Sequence, residues 1–265
     1  MTAQTVQERP LVRTRPSLRR EKALLRDTAV LVAGCDEVGR GALAGPVTVG
    51  LVVVDADVRR MPAGLNDSKL LTPAHREQLV PQIHRWCRAS AVGHATPQEI
   101  DAFGLTRALR LAGMRALADL RQVWGLGPDV LLLDGSHDWL SPRQTDEAQP
   151  GLWEDERVVE PTWPDVVAPS VVTQVKADLT CASVAAASVL AKTTRDALMR
   201  GLASTYPEFG WDENKGYASD QHRAALRRHG PCSHHRQTWR LVDPDGVDPV
   251  ADGEPGHLAT ETART

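Results

Sequence analysis

Two adjacent carboxylates set between strand-like runs constrain this chain more than any other feature. Val30-Leu31-Val32-Ala33 leads into Gly34-Cys35-Asp36-Glu37-Val38-Gly39-Arg40-Gly41, and Pro46-Val47-Thr48-Val49-Gly50-Leu51-Val52-Val53-Val54 follows. Unpaired charge near a core is strongly disfavoured. Asp36 and Glu37 therefore require a metal, a cationic partner or contact with solvent.

The remaining sequence supplies the elements that could surround this pair. Thr72 is a candidate N-cap with Pro73 behind it, opening a helix to about Arg88. A short strand is expected at Ala89–His94. Thr96-Pro97-Gln98-Glu99 reads as a capping box. Leu105, Ala108, Leu109, Ala112, Ala116 and Leu120 then recur at helical spacing, to about Trp124, before Gly125 and Gly127. Asp129–Leu133 is a short apolar strand ending in Asp134-Gly135-Ser136. Residues 137–168 lack periodicity and carry Trp139, Trp153 and Trp163, which reads as an inserted loop or flap. Ser170–Lys176 is β-like, Asp178 follows, and a helix begins near Thr180. The many small residues of that helix point to close packing on a sheet. This order describes a mixed α/β domain.

Three strand-like runs thus lead into or end near acids: Asp36-Glu37, Asp134 and Asp178. Ligand sites in α/β sheets gather at the carboxyl ends of strands. Singly, Asp134 could be a turn residue and Asp178 a helix-dipole partner. If the strands are neighbours, the four carboxylates converge, and like charges so close need an intervening cation. All-oxygen donors suit Mg2+ or Mn2+ rather than Zn2+. Two such ions can activate a water and stabilise the leaving oxygen of a phosphoryl displacement. The expectation is a divalent-metal site that cuts nucleic acid.

Composition allows this reading without demanding it. The 265 residues are 42% hydrophobic, enough for one sizeable core, and the formal net charge of -3 leaves room for a basic surface around an acidic site. No apolar run approaches the roughly 20 residues of a membrane span. Cys35, Cys87, Cys181 and Cys232 are far apart and form no CxxC pair, as expected of reduced thiols in a cytoplasmic protein.

The run from Gly34 to Val47 resembles the signature of the type 2 ribonucleases H, in particular the bacterial ribonuclease HII family. The likeness continues in order through Asn66-Asp67-Ser68-Lys69-Leu70-Leu71, Leu133-Asp134-Gly135, Lys176-Ala177-Asp178, Ser183–Asp196, Tyr206-Pro207, Asn214-Lys215-Gly216-Tyr217, His222 and Gly230-Pro231. The resemblance implies an RNase H-like α/β fold: a mixed five-stranded sheet flanked by helices, with a C-terminal helical extension. It implies an endonuclease that cuts the RNA strand of RNA–DNA hybrids and incises duplex DNA 5′ of embedded ribonucleotides, leaving 5′-phosphate and 3′-hydroxyl ends. Asp36, Glu37, Asp134 and Asp178 match acids that hold two Mn2+ or Mg2+ ions. Gly39, Arg40 and Gly41 match a contact to the ribose 2′-OH, and Tyr217 matches a ring on the following sugar. Lys69, Lys192 and Arg195 are turned toward phosphate contact. The implied organisation is a flexible basic arm at 1–27, a catalytic domain at 28–240 and a disordered acidic tail at 241–265, in a monomer. Val38, Ala42, Ala177 and Ser136 depart from the usual alanine, proline, glycine and asparagine; none removes an acid. An actin-like phosphotransferase would need a second acid–glycine phosphate loop, which is missing. A non-catalytic nucleic-acid binder would need a more basic composition.

Overall fold

The structure, a computed structural model, describes residues 15–125, 127–142 and 161–242. Five strands form one sheet in the order β3-β2-β1-β4-β5. They are β1 (Val32–Val38), β2 (Val47–Val54), β3 (Ala89–Ala95), β4 (Val130–Asp134) and β5 (Ser170–Gln174). β2 pairs antiparallel with β1 and β3, whereas β1, β4 and β5 run parallel, so the sheet is mixed.

The capping residues act as their local chemistry dictates. Thr72 accepts from the His75 N–H and starts α2 (Pro73–Trp86). Thr96 and Glu99 form the reciprocal capping box that starts α3 (Pro97–Trp124). Gly104 breaks the helical dihedrals of α3 at φ 77°, and Gly125 ends it in the left-handed region.

Helices cover both faces of the sheet. α3 packs on one, where Gly93 offers no side chain and the Ala112 carbonyl sits where a Cβ would stand. The other face carries α4 (Ala177–Thr180) and α5 (Ala182–Ala203). A Cβ on Gly34 would meet backbone of Ser183 and Val184 at 2.2 and 2.3 Å, and one on Gly50 would meet the Ala187 carbonyl at 2.4 Å. Those glycines and the alanine-rich face of α5 let helix and sheet approach closely, which brings Asp178 over the ends of β1 and β4. α6 (Trp211–Asn214) and α7 (Asp220–His229) complete a smaller cluster with Phe209, Met199 and Leu43.

Two expectations about the irregular segments change. The loose arm expected through residue 27 is ordered from residue 15 and contains α1 (Arg19–Asp27). Glu21 is buried there and accepts from the Ser183 N–H at 2.8 Å and the Ser183 hydroxyl at 2.9 Å. The first turn of α5 has no side-chain cap of its own, and Glu21 supplies the missing acceptor. Leu241, expected in the disordered tail, packs beside Phe209 and Trp211; the tail at 243–265 lies outside the described residues. Within the insertion, Trp139 is buried in the core and Trp163 packs under Arg110 at 4.6 Å, while Trp153 lies outside the described residues.

Candidate active site

Strand register brings the acids together. Cys35 lies opposite Leu133, and one further step along that register sets Asp134 beside Asp36. Both have the parity of Gly34 and Leu132, on the face that carries α5. The Ala177 N–H donates to Asp134 Oδ1 at 2.7 Å, which ties α4, and Asp178 within it, to the end of β4. Glu37 completes the group, held by Arg40 Nη1 at 2.8 Å on Oε1.

The electrostatics show crowding that neighbouring groups offset only in part. Burial first, then Glu37 and Asp134, push Asp36 up to about 8 against a partial offset from Ser188. Burial, with Asp134 and Asp67, lifts Asp178 to about 6. Glu37 is also raised by burial, despite Arg40. Its Oε2 is buried with no hydrogen-bond partner. Among the described residues, no three acidic, histidine or cysteine groups close into a ready cage. The donor chemistry nonetheless fits a hard divalent cation, because all are oxygens, Asp36 and Asp178 are driven toward protonation by burial and by neighbouring carboxylates, and one Glu37 oxygen is orphaned.

Lys69 stands beside these acids. Asp67 accepts from the Lys69 N–H at 3.0 Å and shapes the short turn Ser68–Leu70. Burial draws the Lys69 ammonium down, but Asp67, Asp36, Asp178 and Asp134 together outweigh it and leave it raised. Arg40 is exposed at the rim. Gly39, at φ 89°, has no room for a side chain, since a Cβ would lie 2.3 Å from Arg195 Nε. Gly41 faces open space.

Arg195 departs from expectation. It is fully buried and donates to the carbonyls of Pro46, Lys215 and Ala44 at 2.8, 2.9 and 3.0 Å. With its donors spent on backbone and no exposed surface, it cannot reach a phosphate. Its guanidinium instead lies under the ring of Tyr217, 5.3 Å from the centroid, with Lys192 Nζ at 5.8 Å. Lys192 is half-buried and paired with Asp196 at 2.7 Å.

Sequence reasoning missed Arg236. It is wholly buried and donates to the carbonyls of Arg40 at 2.8 Å, Gly39 at 2.5 Å and Gly45 at 3.1 Å. It therefore grips the Gly39-Arg40-Gly41 turn from behind. Its polar neighbourhood in sequence, His234-His235-Arg236-Gln237, gives no sign of burial.

Comparisons with known proteins agree with this geometry. Residues 33–242 match the family model described as Ribonuclease HII. A ribonuclease HII of Streptomyces coelicolor is 43% identical over 224 residues, spanning 84% of this chain and 83% of that protein. The ribonuclease H2 of Pyrococcus horikoshii superposes with a TM-score of 0.58 at 27% identity, over 80% of this chain and 94% of the other. Bst-RNase HIII, solved in complex with Mn2+, shares the fold at a TM-score of 0.56 and 19% identity, over 80% of this chain and 68% of that one. The mixed sheet with its flanking helices is thus an RNase H-like fold. The chain belongs to the ribonuclease HII family. It is an endoribonuclease of the ribonuclease H type, acting on the RNA strand of RNA–DNA hybrids.

Proposed function

We propose that this endonuclease also nicks duplex DNA on the 5′ side of an embedded ribonucleotide, leaving 5′-phosphate and 3′-hydroxyl ends, with a divalent cation pair held by Asp36, Glu37, Asp134 and Asp178. The observation that carries the reading is the juxtaposition of four carboxylates that, among the described residues, have no cationic partner except Arg40 and Lys69. When bound, Mn2+ or Mg2+ supplies Lewis acidity to a water and to the departing 3′ oxygen. Asp36 and Asp134, on adjacent parallel strands, give that chemistry a rigid base. Asp178 closes the site from α4, and Lys69 offers its ammonium to the phosphate.

Selection of the site falls to the neighbours of the acids. A 2′-OH is what distinguishes RNA from DNA at one sugar. The Gly39-Arg40-Gly41 turn lies beside Glu37, and Gly41 leaves space for a sugar to approach. Tyr217 packs on the next sugar, where a deoxyribose fits and a 2′-OH crowds the ring. Lys192 lies beside that ring and faces the backbone of the same strand. Among the described residues no helix is long and apolar enough to cross a membrane; we place the enzyme in the cytoplasm as a monomer.

The test is a DNA duplex with one ribonucleotide, incubated with Mn2+, Mg2+ or chelator, and the nick mapped to the nucleotide. A metal-dependent cut 5′ of the ribonucleotide is expected. Cleavage that persists in chelator, or none at that position, overturns the reading.

A further inference from the structure

Behind Tyr217 runs a row of buried polar groups that takes no part in the carboxylate site. The Cys232 backbone N–H donates to His235 Nδ1 at 3.0 Å. That nitrogen is therefore an acceptor, and His235 carries its proton on Nε2. His235 Nε2 lies 3.0 Å from His222 Nε2, and Trp211 Nε1, which can only donate, lies 3.2 Å from the same atom. His222 Nε2 accepts from both, so its own proton sits on Nδ1, 2.9 Å from the Tyr217 carbonyl oxygen. The network assigns one polarity, from Cys232 through His235 and His222 to Tyr217.

Both imidazoles are buried, at 0% and 1% exposure. Burial pulls both below the ordinary histidine value, His235 to about 4 with help from His222, which keeps the row neutral near pH 7.

The row ends at a segment that is fixed from its other side. Lys215 and Gly216 are both left-handed, at φ 53° and 83°. The Gly216 carbonyl accepts from Leu43 and Ala44 N–H groups at 2.8 and 3.2 Å. Arg195 bridges the Lys215 and Ala44 carbonyls. The backbone before Tyr217 is thus tied to the segment that leaves the Gly39-Arg40-Gly41 turn, and the carbonyl of Tyr217 is tied to His222.

We infer that His222, oriented by His235 and Trp211, is a positioning residue for substrate choice: it fixes Tyr217 against the turn that meets the ribose, and so sharpens the preference for a ribonucleotide followed by a deoxyribonucleotide. The inference rests on the role given above to Tyr217.

The test compares kcat/KM on two substrates, a DNA duplex with one ribonucleotide and a uniform RNA–DNA hybrid. His222→Gln keeps an acceptor near Nε2 but removes the donor to Tyr217. Its selectivity ratio should fall about tenfold, as expected when a substrate-facing group is displaced by a fraction of an ångström. His222→Asn places an N–H at the Nδ1 position and should hold the ratio within about twofold. In a Tyr217→Ala background, adding His222→Gln should change the ratio no further, since the two act as one unit. Equal losses on both substrates, or equal behaviour of the Gln and Asn variants, overturns the inference. Selectivity that depends on Tyr217 but not on His222 overturns it alone; a ratio unchanged by Tyr217→Ala takes the reading of Tyr217 with it. If His222→Gln does not fold, His235→Asn interrupts the row one residue earlier. Its ratio should fall about threefold, and an unchanged ratio overturns the inference.

Discussion

Asp36, Glu37, Asp134 and Asp178 crowd negative charge at the ends of β1, β4 and α4, while Arg195 and Arg236 bury two positive charges behind the adjoining turn. Both regions gather like charge under cover, and they are completed in opposite ways. Arg195 and Arg236 each spend their donors on three backbone carbonyls, those of Ala44, Pro46 and Lys215 for one and of Gly39, Arg40 and Gly45 for the other. Burial and the Arg195 charge lower Arg236 to about 9, yet its hydrogen bonds hold its place in the fold. The acids lack such closure: Glu37 Oε2 has no partner, and Asp36 is driven up to about 8. Like charge that is saturated by backbone is structural. Like charge left short of partners is prepared for something the chain does not itself contain.

The comparison breaks most sharply at the acids. Asp36→Asn and Asp134→Asn should each lower hybrid cleavage by at least about 10^3-fold while the circular dichroism spectrum stays native. Full activity in either variant would remove that acid from the site.

The next effect is on stability against pH in chelator. The Asp36 carboxyl is raised from 3.8 to about 8, so between these values the folded state holds a proton that the unfolded state has released. Stability of the metal-free protein should therefore fall as pH rises from about 4 to about 8, by on the order of a few kcal/mol. Asp178, raised to about 6, has the same sign. Asp36→Asn should flatten the slope, and Mn2+ should restore stability at the upper end. Urea titrations at several pH values decide it; a slope identical in Asp36→Asn and the unmodified protein would refute the assignment.

The arginine side should respond in the opposite manner. Arg236→Met takes a donor from each of the Gly39, Arg40 and Gly45 carbonyls and should destabilise by about 3 kcal/mol at any pH in that range. Metal should not rescue it. Smaller again is Gly39→Ala, where the left-handed backbone and the Arg195 side chain both resist a Cβ, for a loss of about 2 kcal/mol in urea. The smallest stability change belongs to Gly41→Ala, within about 0.5 kcal/mol because nothing lies near its Cβ position. Its cleavage rate should nevertheless drop if a sugar approaches there, so the two glycines separate support of the turn from use of it.

Much of the fold was legible because its signals are local. Thr72 and Thr96 cap helices through atoms three residues away, and the small residues of α5 announce a close approach that Gly34 and Gly50 accept. Asp36 and Glu37 stood out because charge at the end of an apolar strand is costly wherever the chain goes. Glu21, Arg195 and Arg236 were not legible. Each looks like an ordinary surface charge in sequence, and each becomes buried through partners 20 to 197 residues distant. Arg195 illustrates the error this invites: a cation near a nuclease site reads as a phosphate contact until its three carbonyl partners are seen.

By itself the sequence determined which residues carry charge at strand ends, where helices begin, and that four acids had to be reconciled with one another. Only the tertiary structure decided that Asp134 stands beside Asp36, that Arg236 grips the Gly39-Arg40-Gly41 turn, and that His222, against His235, meets the Tyr217 carbonyl. The reason is physical: capping and periodicity are fixed within a few residues of chain, whereas strand register and buried hydrogen bonds join segments whose meeting no local spacing encodes.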